Sequence, residues 1–247
     1  MVIIDGHTHI SSRVFKQSDI GIQFDWNDLN RWLLSKPKNK CVVMPVISQF
    51  CDSVSLNIEM LNELENFPQK NRVLPFLWIH PTQLKEDHFK KFNFSGFKFH
   101  PSISQETIDL SEKMLGLCEK HKKPILVHCG RNEKSRIDYV LDINERYPNL
   151  DFVCAHLGGL ATDLIVRAFK KISEASYLDN IFLETSGCFY PKLIKKAVEI
   201  LGADRIIFGT DRPFHDYKVS LYSIKCCNFD KETEQGILFE NLSRIIG

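Results

Sequence analysis

The chain has 247 residues, 43% of them hydrophobic and 26% charged, and a formal net charge of +1. Such a balance suits an ordinary globular protein and leaves no global field to gather nucleic acid or an anionic membrane. The N-terminus carries acid and histidine where a signal peptide needs a basic segment and a long apolar core. No apolar run approaches the roughly 20 residues of a membrane span, so a cytoplasmic protein is expected.

Met1 to Ile4 is a β-rich apolar run and reads as a buried strand, followed by Asp5-Gly6-His7-Thr8-His9. Alternate strand residues share a face, which places His7 and His9 about 7 Å apart along one side, with Asp5 on the same face. Two imidazoles so spaced suit either one metal ion or a pair of hydrogen bonds in a turn. Trp26 to Ser35 reads as a helix, Lys40 to Pro45 as a second strand and Leu56 to Phe67 as an amphipathic helix. Arg72 to Ile79 is a third strand, ending at His80-Pro81. Leu84 to Phe92 is a short helix, and Gly96 to Pro101 is a fourth strand.

The second half keeps the rhythm. A helix over Glu106 to His121 precedes strand five, Pro124 to His128, and one over Ser135 to Tyr147 precedes strand six, Asp151 to His156. Leu160 to Ser176 is helical and Asn180 to Thr185 is strand seven. Pro191 to Leu201 is helical with Gly202 as its C-cap, and Arg205 to Thr210 is strand eight. Tyr217 to Cys226 and Lys231 to Ile246 close the chain as helices. Eight apolar strands alternating with helices imply a parallel sheet, and in about 250 residues they fit one α/β domain, a (β/α)₈ barrel spanning 1–247. A doubly wound open sheet is the competing arrangement, but no Gly-x-Gly-x-x-Gly follows the first strand. The eight cysteines form no Cys-x-x-Cys and read as buried thiols, with Cys226 and Cys227 packing a helix.

Polar residues gather at the C-terminal strand ends, where such a barrel carries its chemistry. His7 and His9 end strand one, His80 strand three, Lys98 and His100 strand four, His128 strand five and His156 strand six, while Asp211 follows strand eight. Imidazoles and a carboxylate meeting at one mouth suit a divalent zinc, manganese or iron ion. Asp211 is placed both to bind it and to take a proton from an attacking water. Arg131 and Arg212 lie on mouth loops, each either a bidentate grip for a substrate carboxylate or an exposed arginine. Asp5 either fixes a ligand imidazole through its second nitrogen or is structural. Trp78 and His80 are placed to line the pocket or to pack, and Cys154, in phase with His156, is expected to fill the barrel interior. His88, His121 and His215 are expected to be solvated.

Asp5-Gly6-His7-Thr8-His9, Gly96-Phe97-Lys98-Phe99-His100-Pro101, Leu126-Val127-His128, Ala155-His156-Leu157-Gly158-Gly159 and Phe208-Gly209-Thr210-Asp211-Arg212-Pro213 together resemble the amidohydrolase superfamily. The similarity points to its amidohydrolase-related branch of metal-dependent hydrolases and non-oxidative decarboxylases. It implies that His7, His9, His128 and Asp211 hold the metal, and that His156 binds a second ion or acts as acid or base. It leaves Lys98 either a carboxylated bridge between two metals or, with His100, a substrate contact. One or two ions, zinc foremost, are thereby implied.

The leading expectation is hydrolysis of a small amide, lactone or similar carbonyl substrate by a metal-activated water, with Asp211 and His156 as the catalytic groups. Decarboxylation of an aromatic or unsaturated acid uses the same ligands. A TatD-like nuclease or phosphoesterase is the next reading, opposed by Lys98 where a glutamate ligand is expected and by the absence of excess positive charge. A metal-binding barrel without catalysis is the last. A small molecule, including a carboxylate, is the expected partner, with neither nucleic acid nor membrane. Pocket closure falls to the Ser11 to Phe24 segment or to the second subunit of a homodimer.

Overall fold

The structure, a computed structural model, describes residues 1–10, 24–46, 52–80, 92–101 and 112–247. Its strands are β1 (Ile4–Asp5), β2 (His9–Ile10), β3 (Lys40–Pro45), β4 (Val73–Trp78), β5 (Gly96–Phe99), β6 (Ile125–Val127), β7 (Phe152–Cys154), β8 (Ile181–Glu184) and β9 (Ile206–Ile207). Each pairs in parallel with the next, in the order β1-β3-β4-β5-β6-β7-β8-β9, with β2 extending β1 along β3. The last strand returns to the first: Gly6 N–H donates to Phe208 O at 2.9 Å and Asp211 N–H to His7 O at 2.7 Å. A parallel bridge between Thr8 and Arg212 completes the seam. This is the eight-stranded α/β barrel expected from the sequence, its first strand split in two.

The helices α1 (Trp26–Ser35), α2 (Ser53–Glu65), α3 (Glu112–His121), α4 (Ile137–Asn144), α5 (Thr162–Glu174), α6 (Pro191–Leu201) and α7 (Tyr217–Lys225) surround it. Helix α8 (Lys231–Gln235) runs through a π-turn at Gly236–Glu240 into α9 (Asn241–Ile246). The helix expected over Leu84 to Phe92, the first turns of the one over Glu106 to His121, the Ser11 to Phe24 segment and His88 fall outside the described residues, wholly or nearly so. Among the described residues no helix is long and apolar enough to cross a membrane.

Two apolar layers result from strand alternation. Ile4, Val42, Met44, Phe76, Leu126, Val153, Ala155, Phe182 and Ile207 fill the barrel together with Leu242 and Ile246 of α9. Cys41, Val43, Leu77, Phe97, Phe99, Val127, Phe152, Cys154 and Leu183 face outward into the layer shared with the helices. Helix α9 plugs the floor: Asn241 Nδ2 donates to Ile206 O at the start of β9, and Ile246 O accepts from Lys123 just before β6. Gly96 opens the interior row on β5, where a Cβ would overlap the Phe76 ring. Lys98 and His100 follow it inward and upward to the mouth.

Alternation fails at two places, and both correct an expectation. Asp5 pairs with Cys41 and His9 with Met44, so the first strand spends four residues where β3 spends three. One extra residue is a bulge, and it flips the following side chains. Ile4 therefore points inward and Asp5 outward, while His7 and His9 turn back in. Asp5 does not share their face. At the end of β7 the chain leaves extended geometry, with His156 and Leu157 at φ 59° and 52°. That turn brings His156 toward the mouth but leaves Cys154 in the outer layer, and Ala155 takes the interior place.

Candidate metal centre

Three ligand atoms converge at the top of the barrel. His7 Nε2, His9 Nε2 and Asp211 Oδ1 stand 3.2 Å from one another in all three pairings. They form the His, Cys, Asp or Glu group whose donor atoms lie close enough to hold one metal ion among the described residues. The other ring nitrogens fix the tautomers. His9 Nδ1 lies 3.3 Å from Pro45 O, which can only accept, so His9 donates there and its Nε2 is a bare lone pair. His7 Nδ1 lies 3.1 Å from Glu184 Oε2, leaving its Nε2 bare as well.

With these tautomers three lone pairs meet, an arrangement that favours a cation, and the Lys98 ammonium already stands 3.1 Å from His7 Nε2. The centre of such a triangle is about 1.8 Å from each corner, close to the ~2.0–2.2 Å of a divalent metal bond to nitrogen or oxygen. The donor set fits a metal. Burial, then the nearby Lys98 ammonium, holds His7 well below the usual imidazole range, so this ligand is neutral at pH 7. Burial pushes the Asp211 carboxyl up, but the imidazoles of His7, His9 and His156 gathered around it outweigh burial and keep it well below the ordinary carboxylate value.

The remaining expected residues separate into those at the pocket and those away from it. A pocket of about 360 Å³ opens above the triad, lined by Val46, Trp78, Lys98, His100, His128, Leu160, Phe214 and His215. Lys98 is fully buried and its Nζ lies 3.1 Å from His7 Nε2; burial lowers its ammonium to about 8. His100 stacks on His128 with centroids 3.8 Å apart and planes 11° from parallel, and Trp78 lies parallel to His100 at 6.1 Å. Burial, reinforced by neighbouring charges, holds both His100 and His128 well below the imidazole norm.

His128 lines the pocket but stands outside the close triad. Its Nδ1 meets His156 Nε2 at 3.3 Å. His156 lies behind the wall, 1% exposed, with its ring 5.6 Å from that of His7. Burial brings its pKa down to about 4. Arg212 does not reach the pocket mouth as a substrate grip. Its guanidinium is buried against Phe24, Trp32 and Tyr217 and donates to Asp5 Oδ2 at 3.4 Å. Asp5 also accepts from Thr210 N–H and Oγ1 and from His7 N–H, and touches no imidazole. Arg131 is exposed and lines no part of the pocket.

His80 is half-buried and stands away from the pocket that Trp78 lines. Two histidines expected in solvent are not there. His121 packs edge-on against Phe94, and His215 lines the pocket with its ring edge-on to Phe189.

Sequence reasoning passed over Glu184 and Ser186. Glu184 is fully buried at the end of β8, and burial raises its carboxyl above the ordinary value. An acid closing the apolar run Ile181-Phe182-Leu183 met the same strand-end criterion that singled out the histidines.

The family model for amidohydrolases matches residues 69–235. No curated protein sequence matches the chain. Among solved structures, a 2,6-dihydroxybenzoate decarboxylase from Rhizobium superposes with a TM-score of 0.76 at 14% identity, over 99% of this chain and 98% of its own. A dihydroxybenzoic acid decarboxylase from Polaromonas, with bound manganese and the inhibitor 2-nitroresorcinol, gives 0.74 at 15%, over 99% and 96%. A candidate 2-pyrone-4,6-dicarboxylic acid hydrolase from Pseudomonas putida gives 0.72 at 13%, over 99% and 97%. At such identities the likeness is one of fold.

Proposed function

The chain belongs to the amidohydrolase family, and we propose that it is a metal-dependent hydrolase of a small carbonyl substrate such as an amide or lactone. The observation that carries this reading is the triangle of bare donor atoms on His7, His9 and Asp211. These three residues would hold the ion, with His128 completing the set. Zinc is the expected ion, and manganese suits the same donors. A divalent ion supplies Lewis acidity when bound, polarising a carbonyl and lowering the pKa of a water towards about 7.

The protein's own groups do the rest. Asp211 is ionised, and its carboxylate would receive the proton given up by the attacking water. His156 stands behind His128 and would serve as a proton acceptor through the Nδ1–Nε2 contact. Lys98 carries the positive charge of the pocket and attracts a substrate carboxylate. A half-enclosed space of this size, with Trp78, Leu160 and Phe214 on its walls, suits a small molecule better than a nucleic-acid strand.

Decarboxylation of a planar unsaturated acid is a second reading, favoured by the flat Trp78–His100–His128 wall beside Lys98. It draws further support from the decarboxylases among the structural neighbours. Protein purified without chelator is expected to carry about one divalent ion per chain, and Asp211→Ala to keep its fold while losing metal and turnover. Incubation with pyrone and hydroxybenzoate carboxylates separates the readings: ring-opened acid marks the hydrolase and released carbon dioxide the decarboxylase. Unchanged turnover in Asp211→Ala would overturn both.

A further inference from the structure

Glu184 sits behind the metal triangle at the end of β8, and three donors converge on its carboxylate. His7 Nδ1 approaches Oε2 at 3.1 Å, Ser186 Oγ donates to Oε2 at 2.7 Å and Ser186 N–H to Oε1 at 2.5 Å. Ser186 extends the network, since its Oγ lies 2.9 Å from His156 Nδ1 and its carbonyl 3.2 Å from the same nitrogen. One carboxylate and one serine therefore touch both the rear nitrogen of a ligand imidazole and that of His156.

The neighbouring backbone is shaped to admit this clamp. A Cβ on Gly209 would run into Glu184 Oε1, with Glu184 Cδ at 2.8 Å and His7 Cβ at 3.0 Å. Glycine immediately before Thr210-Asp211 thus makes the space through which Glu184 reaches His7. Just beyond Ser186, Gly187 holds φ 70°, and a Cβ there would stand 3.3 Å from His215 Nε2 and 3.4 Å from His156 Nδ1.

We infer that Glu184 is a positioning residue that acts through His7: its carboxylate, braced by Ser186, fixes the His7 Nδ1–H tautomer and so holds Nε2 bare and aimed at the metal. The Ser186 carbonyl, an obligate acceptor, does the same for His156 and leaves its Nε2 open toward His128. This deepens the metal-centre reading and rests on it for function, while the tautomers themselves belong to the protein without metal. Partners of this kind behind a ligand histidine are worth 10- to 100-fold in metal affinity.

The test uses the full chain and two readouts. Zinc affinity is measured by competition with a chromogenic chelator, and imidazole tautomers by ¹⁵N NMR on metal-free protein. Glu184→Gln is expected to weaken zinc about 10- to 100-fold and to convert the His7 signal from pure Nδ1–H into a tautomer mixture. Gly209→Ala, which leaves the carboxylate in the sequence but displaces it, should reproduce both changes. Glu184→Asp keeps the charge but withdraws the oxygens, and should show the same loss if position matters.

Should Glu184→Gln fail to fold, the other two variants decide. Wild-type affinity and an unchanged His7 signature in Gly209→Ala and Glu184→Asp would overturn the inference. Wild-type protein that binds neither zinc nor manganese would instead defeat the metal reading, and the NMR comparison would still settle the clamp.

Discussion

His156, Leu157 and Asp211 hold φ between 52° and 59°, in the left-handed region where a side chain costs about 1–2 kcal/mol. Two of the three are site residues, and the third is the neighbour that completes the turn. The twist at Asp211 lets one short loop serve two faces. Thr210 bonds outward to Asp5, while the Asp211 carboxylate reaches inward to both histidines. Behind it the Arg212 guanidinium is wrapped by Phe24, Trp32 and Tyr217, and this cage sets a titration. Burial, then the Asp5 charge, raises the Tyr217 phenol to about 12. A phenol that holds its proton more tightly when folded adds stability that is intact below pH 10 and lost as the pH climbs through about 12. Denaturant unfolding across that range should show a loss of about 1–2 kcal/mol, allowing for partial solvent screening. Tyr217→Phe should flatten the slope, and an equally steep slope in that variant would place its origin elsewhere.

Residue identities at strand ends were the legible part of the site. His7, His9, Lys98, His100, His128 and Asp211 all border the same pocket because a strand's last inward side chain has nowhere else to point. Arg212 was not legible, since an arginine beside a ligand looks the same in sequence whether it faces the mouth or turns back onto Asp5. Nor was His215, whose place depends on the loop path after Asp211.

At the scale of elements, strand order and the alternation with helices could be read from apolar runs, whereas phase could not. The bulge between Asp5 and His9 and the left-handed turn at His156 each displace side chains by one position. A period-two count has no means to register that, which is why Asp5 and Cys154 were placed on the wrong faces. Gly96 shows the reverse case, a position where one strand yields to another. A Cβ there meets the Phe76 ring inside a filled barrel, so Gly96→Ala is expected to cost about 1–3 kcal/mol, as overpacking does. Urea unfolding should show the loss, and Phe76→Leu in the same chain should recover much of it. If the two substitutions simply add, the contact is not the cause.

For the whole molecule, the floor and the mouth are unlike. Leu242 and Ile246 of α9 stop the barrel from below, the apolar interior fills its waist, and the donor triangle sits just beneath the pocket. A site stopped from below and open above imposes an order on what would pass through it. On the proposed reading the ion would enter first and substrate settle over it, so product would have to leave before the ion. Metal loss would then be a gated process, slowed by whatever occupies the pocket. With a planar acid at ten times its dissociation constant, zinc transfer to an excess of chelator should slow about tenfold, because only the empty fraction releases it. Equal rates with and without the acid would reveal a second way out. If the mouth is the route out, substrate itself would keep the centre loaded, and the protein would be most exposed to metal starvation when idle.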